Sequence, residues 1–290
     1  MKKVILTGAT GLIGQNIIEP LKKLDYEIYA LTIDEKNPDF DINWINCNIF
    51  DEQSLKSVFD KVKPTHLMNF AWITGGDYLS NPMNNDFVKA GMNMLKFFKQ
   101  NGGKRAVFSG TCFEYDFITK PIKEDNPLKP TTLYAQCKNQ LRENAQKYCA
   151  ENNISFGWGR IFYVFGKNEK AGRLTSTIIN NFKEGKEVTI TCGSLIKDYM
   201  YTKDIAGAFA KFLDSSVEGC VNISTGKGIS LEEFARKFAT RLNAEKLLII
   251  KNEIGNNPPF IVADNSRLLH EVGYKIQYNI DTAIDEILAK

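Results

Sequence analysis

Histidine and paired cysteine are what this 290-residue chain has least of: two histidines, His66 and His270, and six cysteines with no CxxC spacing among them. Structural and catalytic zinc centres gather thiolates and imidazoles at short spacings, so no metal site is expected, and Cys47, Cys112, Cys137, Cys149, Cys192 and Cys220 read as reduced thiols. Long apolar runs are also missing. Nothing approaches the roughly 20 residues of a membrane span, and the chain enters its first strand-like run with no signal-type segment, so a cytoplasmic protein with no membrane partner is expected. Charge of one sign is not in excess: 37 Lys and Arg against 34 Asp and Glu leave a net +3. The lysines are scattered among acids rather than gathered in a stripe, which argues against nucleic acid and leaves anionic small molecules open. No repeat or low-complexity segment stands out. With 43% hydrophobic and 24% charged residues the composition is that of a globular protein.

What is present is a rhythm of strands and helices. Strand-like runs occur at 4–6, 27–33, 41–47, 65–72, 104–110 and 154–162. Helical patterns fall at 51–62, 84–101, 131–151, 173–184, 202–214, 230–242 and 281–289, with Pro64, Gly102, Gly103 and Gly185 as stops. This alternation predicts an α/β fold, a doubly wound parallel sheet of Rossmann type covered by helices on both faces. After residue 162 the rhythm loosens, and "VFGKNEKAGRL", "ITCGSLIKDY" and "NEIGNNPPF" read as loops around shorter elements. A dinucleotide-binding domain over 1–162, completed by segments near 197–222, and a smaller C-terminal α/β substrate-binding lobe over 163–290 are expected.

The opening run carries the first chemical signal. Val4, Ile5 and Leu6 lead into "TGATGLIG" at 7–14, and the apolar residues Leu12, Ile13, Ile17, Ile18 and Leu21 follow at helical spacing. In such a strand–turn–helix unit Gly8 permits a tight turn, Gly11 lets main chain approach a pyrophosphate and Gly14 lets helix pack on strand. The N–H groups of the first helical turn then face the anion. A glycine triplet can also serve the turn alone. The second signal is "YAQCK", which sets Tyr134 and Lys138 four residues apart on one helix face. A neighbouring ammonium stabilises phenolate, which would make Tyr134 a proton donor or acceptor, while Lys138 can also reach a cofactor ribose. An ordinary surface pair on an amphipathic helix gives the same spacing.

Taken together, these motifs resemble the extended short-chain dehydrogenase/reductase family, in its nucleotide-sugar epimerase, dehydratase and reductase branch. "TGATGLIG" resembles the family's TGxxGxxG turn, "YAQCK" its YxxxK, and "VFSGTCFEY" the strand end that supplies a catalytic Ser or Thr. "GRIFYVFG" is similar to LRxxNVYG, "KDYMYTKDIA" to RDxxxVxDxA, "VNISTG" to YNIGxG, and "ADNSRLLHEVGY" to the family's closing helix. The resemblance runs over nearly the whole chain. It implies that Thr111 hydrogen-bonds the reacting carbonyl or alcohol, that Tyr134 transfers its proton, and that Lys138 tunes Tyr134 and holds the nicotinamide ribose. It further implies a cofactor site of Gly8, Thr10, Gly11, Leu12, Ile13, Gly14, Thr32, Asn48, Ile49, Asn69, Phe70 and Ala71, with Tyr134 and Lys138 shared. Thr111 and 69–71 end apolar strands, where doubly wound sheets place their sites.

Departures from the pattern narrow the chemistry. The family's 4,6-dehydratases carry Asp and Glu after the catalytic Thr as acid and base, where this chain has Cys112 and Phe113. An aromatic ring cannot remove a proton, so water elimination is not expected. Cys112 is read as packing beside the substrate. A 4-keto nucleotide-sugar reductase and an NAD-retaining 4-epimerase both remain. The strongest local resemblance is to deoxysugar reductases of the CDP-abequose and CDP-paratose synthase type, in surface-polysaccharide pathways, and favours the reductase. An idle dinucleotide-binding regulator would show a broken triad. Tyr163 stands where the epimerases commonly have Asn, and Lys197 where Arg is usual. Arg173 and Lys197 are candidate partners of the diphosphate and Asn222 a candidate polar contact. At the end of the second strand Thr32 occupies the place of an NAD-selecting acid. With Ile33 next, and Asp34 and Lys36 beyond, NADP(H) is favoured and NAD(H) possible. A homodimer through the Tyr134 helix and its neighbour is expected.

Overall fold

The computed structural model describes residues 2–33, 40–117, 121–253, 255 and 257–289. In its first part strands β1 (Lys2–Thr7), β2 (Tyr26–Thr32), β3 (Asn43–Asn46), β4 (His66–Asn69), β5 (Arg105–Thr111) and β6 (Ser155–Ile161) are interleaved with helices α1 (Gly14–Lys22), α2 (Glu52–Val62), α3 (Asn84–Gln100) and α4 (Leu133–Glu151). There follow β7 (Tyr163–Phe165), α5 (Leu174–Lys183), β8 (Val188–Ile190), β9 (Ile196–Lys197), β10 (Tyr199–Tyr201), α6 (Thr202–Asp214), β11 (Gly219–Ile223), β12 (Ile229–Ser230), α7 (Leu231–Arg241), β13 (Leu248–Ile250), β14 (Phe260–Ile261) and α8 (Ile280–Leu288). The main sheet has seven parallel strands in the order β11-β6-β5-β4-β1-β2-β3. The chain winds outward from β1 to β3, then returns to lay β4 on the other side of β1. That reversal opens a crevice at the carboxyl ends of β1 and β4, where open α/β sheets bind ligands.

The continuous apolar run of β1 is buried on both faces. Val4 and Leu6 pack with Ile17, Ile18 and Leu21 of α1 and Phe209 and Phe212 of α6, whereas Ile5 joins Leu55 and Phe59 of α2, Met94 and Phe98 of α3 and Leu141 of α4. Each fully buried aliphatic side chain stabilises the fold by about 1.5–3 kcal/mol. Four of the helices, α2, α4, α7 and α8, are capped at their N-termini by side chains. Asp51 accepts from the N–H groups of Gln53 (3.0 Å) and Ser54 (3.2 Å) to cap α2, and Thr132 accepts from Ala135 N–H (3.2 Å) to cap α4.

A third core lies among elements after residue 162. Phe165, Tyr199, Tyr201, Phe234 and Phe238 pack with Ile178, Phe182 and Ile284, and the rings of Tyr199 and Phe234 stack at 4.2 Å. Two buried aspartates tie this region together. Asp198 accepts from the N–H groups of Thr225, Gly226 and Ala263, and Asp204 from Tyr274 Oη and the N–H groups of Gln277 and Tyr278.

Several local expectations need correction. Of the segments read as loops around shorter elements, "ITCGSLIKDY" contains the short strand β9, and β7, β8, β10 and β14 overlap the ends of these segments, each stabilised by pairing with a partner distant in sequence. The closing helix expected within "ADNSRLLHEVGY" is a five-residue π-helical turn, Arg267–Glu271. The strand expected over 65–72 ends at Asn69, because Phe70 and Ala71 turn to meet the glycine turn.

Candidate functional site

The glycine turn after β1 is built by main-chain contact. Gly8 has φ of 71°, and a Cβ there would lie 2.8 Å from the Phe70 carbonyl carbon and 2.9 Å from Ala71 N. A Cβ at Gly14 would collide with the Gly8 carbonyl oxygen. Gly11 differs: its N–H donates to Gly8 O at 3.0 Å, and an added Cβ would meet only that oxygen, at 3.2 Å, with open space beyond. Protein therefore fills the space at Gly8 and Gly14 and leaves it free at Gly11, as a cradle for a pyrophosphate requires. Thr10 and Gly11 are exposed, Leu12 and Ile13 are half-buried, and Ile13, which precedes α1, provides no side-chain cap. No side-chain oxygen caps the first turn of α1, in which Gln15 N–H donates to Gly11 O (3.1 Å) and Asn16 N–H to Ile13 O (3.0 Å).

The neighbouring strand end is tied to this turn. Thr7 Oγ1 donates to Asn69 Oδ1 (2.6 Å) and accepts from Ala71 N–H (3.2 Å). The sheet places Thr32 at the end of β2 beside Asn46 of β3, and Asn48 and Ile49 just beyond β3. Thr32 is buried, Asn48 is exposed with its Oδ1 accepting from Phe50 N–H (3.0 Å), and Ile33 is 67% exposed. Asp34 and Lys36 lie outside the described residues. These positions line the crevice side of the sheet and fit a dinucleotide extended across it.

Thr111 ends β5 and opens a 3-10 turn, Cys112–Glu114, whose first N–H groups it helps to cap: its Oγ1 accepts from Phe113 N–H at 3.3 Å. The Tyr134 hydroxyl hydrogen-bonds Thr111, so α4 and β5 converge on one point. Burial raises the Tyr134 phenol above its ordinary range, and the Thr111 hydrogen bond opposes that shift. Lys138 is one turn further along and buried. Its Nζ donates to Ser109 O (2.8 Å) and Ser109 Oγ (3.4 Å) and lies 3.9 Å from the centre of the Trp72 ring. Burial pulls its ammonium down to about 7, with the Glu114 carboxylate acting the other way.

The substrate-side candidates divide. Cys112, Tyr163 and Lys197 come together: Lys197 Nζ lies 5.4 Å from the Tyr163 ring centre and donates to Pro258 O (3.0 Å), and Cys112 and Tyr163 share one apolar cluster with Phe113. Burial lowers Lys197 to about 8 and pushes the Cys112 thiol up to about 12. Arg173, exposed at the start of α5, donates to the Thr74 carbonyl and sits 5.3 Å from the Tyr78 ring. Tyr78 in turn packs edge-on against Tyr134 at 5.2 Å. Asn222 does not join them. Its Oδ1 accepts from Tyr115 Oη (2.7 Å), its Nδ2 donates to Ile122 O (2.8 Å) and Asp264 O (3.1 Å), and it is fully buried. Its amide is spent inside the protein, which corrects the expectation of a polar contact to substrate.

Sequence reasoning overlooked two features. Glu114 is fully buried beneath Thr111: its Oε1 accepts from Thr111 N–H (2.9 Å) and Trp158 Nε1 (3.0 Å), its Oε2 from Arg160 Nε (2.7 Å). The acid three residues after a strand-end threonine was the available signal, since that spacing makes a capping box. The other is the aromatic group of Trp72, Tyr78 and Phe87 around Tyr134 and Lys138, for which the sequence offered only proximity to 69–71. Among the described residues no group of His, Cys, Asp and Glu could hold a metal ion, and no helix is long and apolar enough to cross a membrane.

Relatives and solved structures share this fold. The chain is 23% identical over 245 residues to the dTDP-6-deoxy-L-talose 4-dehydrogenase (NAD(+)) of Aggregatibacter actinomycetemcomitans, covering 83% of this chain and 90% of that protein. It is 26% identical over 264 residues to the spore coat polysaccharide biosynthesis protein SpsK of Bacillus subtilis, covering 89% and 87%. The fold matches a UDP-glucose 4-epimerase of Thermotoga maritima, solved with UDP-glucose, at a TM-score of 0.87 and 17% identity, over 98% of this chain and 97% of that one. The UDP-glucose 4-epimerase of Thermus thermophilus, solved with NAD, matches at 0.82 and 20% identity, over 98% of each chain. Residues 4–224, from within β1 to just past β11, match the family profile, and the chain belongs to the NAD dependent epimerase/dehydratase family.

Proposed function

We propose that the protein reduces a 4-keto nucleotide-linked deoxysugar with a nicotinamide dinucleotide, using Tyr134 as proton donor. The observation that carries this reading is the convergence of Thr111 and Tyr134 through a hydrogen bond at the carboxyl end of β5, with Lys138 one helical turn away. The dinucleotide supplies hydride chemistry when bound. Thr111 Oγ1 and Tyr134 Oη together bind the carbonyl oxygen, and Tyr134 delivers its proton there as that oxygen becomes a hydroxyl. Lys138, held against Ser109, donates to the ribose and presents positive charge near the phenol. Arg173 and Lys197 flank the space beyond Tyr163 and Tyr78 and suit the substrate's diphosphate.

Elimination is disfavoured by the same geometry. Cys112, with its thiol raised to about 12, cannot act as a base near neutral pH, and Phe113 packs edge-on against Tyr163 and Phe117. Reduction is favoured over epimerisation by the names of two relatives, the dTDP-linked enzyme above and the GDP-6-deoxy-D-talose 4-dehydrogenase, both of which act at C4 of a deoxysugar. The side chain that ends β2, Thr32, is not a carboxylate, and on that residue the reading includes tolerance of a 2′-phosphate and a modest NADPH preference. Pairing of two copies through α3 and α4 completes the reading.

The test is incubation with a panel of 4-keto nucleotide sugars and either NADH or NADPH. One-for-one oxidation of the dinucleotide with a C4 alcohol as product supports the reductase. Interconversion of two epimers without net change in the reduced-nicotinamide absorbance overturns it in favour of the 4-epimerase.

A further inference from the structure

Trp72 follows the β4 strand end and opens the segment leading to α3. Its Nε1 donates to Asn84 Oδ1 at 2.6 Å, and Asn84, fully buried, donates through Nδ2 to Tyr78 O and Asn81 O, both at 2.8 Å. The indole stacks on Phe87 at 5.1 Å with an interplanar angle of 21° and meets Tyr134 edge-on at 6.3 Å. An indole held by a short hydrogen bond to a buried amide and by a stacked ring is a fixed surface, and the ammonium of Lys138 rests on it at 3.9 Å. The same segment is fastened to the catalytic helix, because Leu79 O accepts from Tyr134 N–H at 3.1 Å.

We propose that Trp72 is a positioning residue for Lys138, its indole face serving as the counter-surface that keeps the buried ammonium charged and aimed at the ribose and the Tyr134 phenol. This rests on the role given to Lys138 above. Among the described residues no carboxylate pairs with Lys138. Glu114, the acid that acts on it through space, is taken up by Arg160 at 2.7 Å, with Arg142 at 3.9 Å. Ser109 offers two neutral oxygens. The remaining titratable groups around the tyrosine end of the pair are Tyr134 itself, Tyr78 and Cys112, and burial raises both the Tyr134 phenol and the Cys112 thiol. Burial works against the ammonium; Glu114 acts for it through space and the Ser109 oxygens accept its protons, and the indole face adds an attraction that does not neutralise it. An acid in that place would neutralise the charge that Tyr134 is meant to feel.

The experiment compares Trp72→Phe and Trp72→Met by calorimetric titration with NADH and with NADPH across pH 6 to 10, so that it depends on no sugar substrate. In the unsubstituted protein affinity should weaken as pH rises and Lys138 loses its proton. Removing the indole destabilises the charged form, so in Trp72→Met this weakening should move down by about one pH unit, with Trp72→Phe between the two. If Trp72→Met does not fold, Trp72→Leu carries the same contrast of aromatic against aliphatic. A pH dependence identical in the Phe, Met and unsubstituted proteins overturns the proposal, as does a loss of affinity equal at every pH. Unchanged cofactor affinity and turnover in Lys138→Ala would instead overturn the functional reading on which it rests.

Discussion

At the carboxyl ends of β1 and β4 the protein presses main chain against main chain, while around Tyr163 and Lys197 it fills space with rings and long side chains. In the first region the Gly8 Cα abuts the backbone of 70 and 71, and Thr7 Oγ1 joins the two strands. In the second, Lys197 rests near Tyr163, Phe113 packs on Tyr163, and Arg173 reaches the Thr74 carbonyl from another element. A backbone cradle tolerates almost no added atom and recognises what all dinucleotides share. A surface of side chains can be re-cut for each substrate without moving the sheet. Tyr134 stands at the boundary, bonded to Thr111 on the sheet side and packed by Tyr78 on the other.

The largest expected effect is at that boundary. Tyr134→Phe keeps the ring that packs against Trp72 and Tyr78 but loses the proton, so turnover should fall by roughly a hundredfold or more with cofactor affinity retained, as steady-state kinetics and a dinucleotide titration would show. Near-full activity would remove the proton-transfer role. Next is the backbone cradle. Gly14→Ala puts a methyl group into the Gly8 carbonyl oxygen, and thermal or urea unfolding should record a loss of about 1–3 kcal/mol together with weaker dinucleotide binding. A variant as stable as the parent would show that the turn can yield and would break the contrast between the two regions.

On the substrate side the effects should be smaller and confined to one ligand. Arg173→Ala removes an exposed cation whose partner in this structure is a carbonyl, so KM for the nucleotide sugar should rise about tenfold while dinucleotide affinity is unchanged. Equal damage to both ligands would mean that Arg173 acts by holding the segment of Thr74 and Tyr78. Smallest of all is cofactor choice. Thr32→Asp restores a carboxylate at the end of β2 and should shift preference towards NADH by a few-fold, on the order of 1 kcal/mol or less. Tighter NADH binding in the parent protein would already overturn the expected NADPH preference.

The two regions also differ in how much the amino-acid order reveals. The parallel sheet, its helices and the glycine turn were legible because each follows from local pattern: apolar runs buried on both faces, helical spacing after Gly11, and Pro64 and the glycines as stops. Thr111, Tyr134 and Lys138 were legible because strand ends and i, i+4 spacing place them. What escaped was set by contacts between residues far apart in sequence. Asn222 reads as a polar residue near the site, yet Tyr115, Ile122 and Asp264 consume its amide. Glu114 reads as one acid among many, yet Trp158 and Arg160 bury it under Thr111. Short strands such as Ile196–Lys197 exist only because Phe260–Ile261 and Ile229–Ser230 pair with them. Trp72 belongs to the same class, since nothing in the order of residues places Lys138 on its ring.

The central claim is that a hydride reaches C4 of a nucleotide-linked sugar while Tyr134 supplies the proton. Reduction of a 4-keto nucleotide sugar with dinucleotide deuterated at nicotinamide C4, followed by mass and NMR analysis of the sugar, tests it most directly. The proposed reduction leaves one deuterium on C4 of the product and a new C4 hydroxyl, and neither in Tyr134→Phe beyond roughly a hundredth of the parent rate. Deuterium at another carbon, or product formed with none, would contradict it.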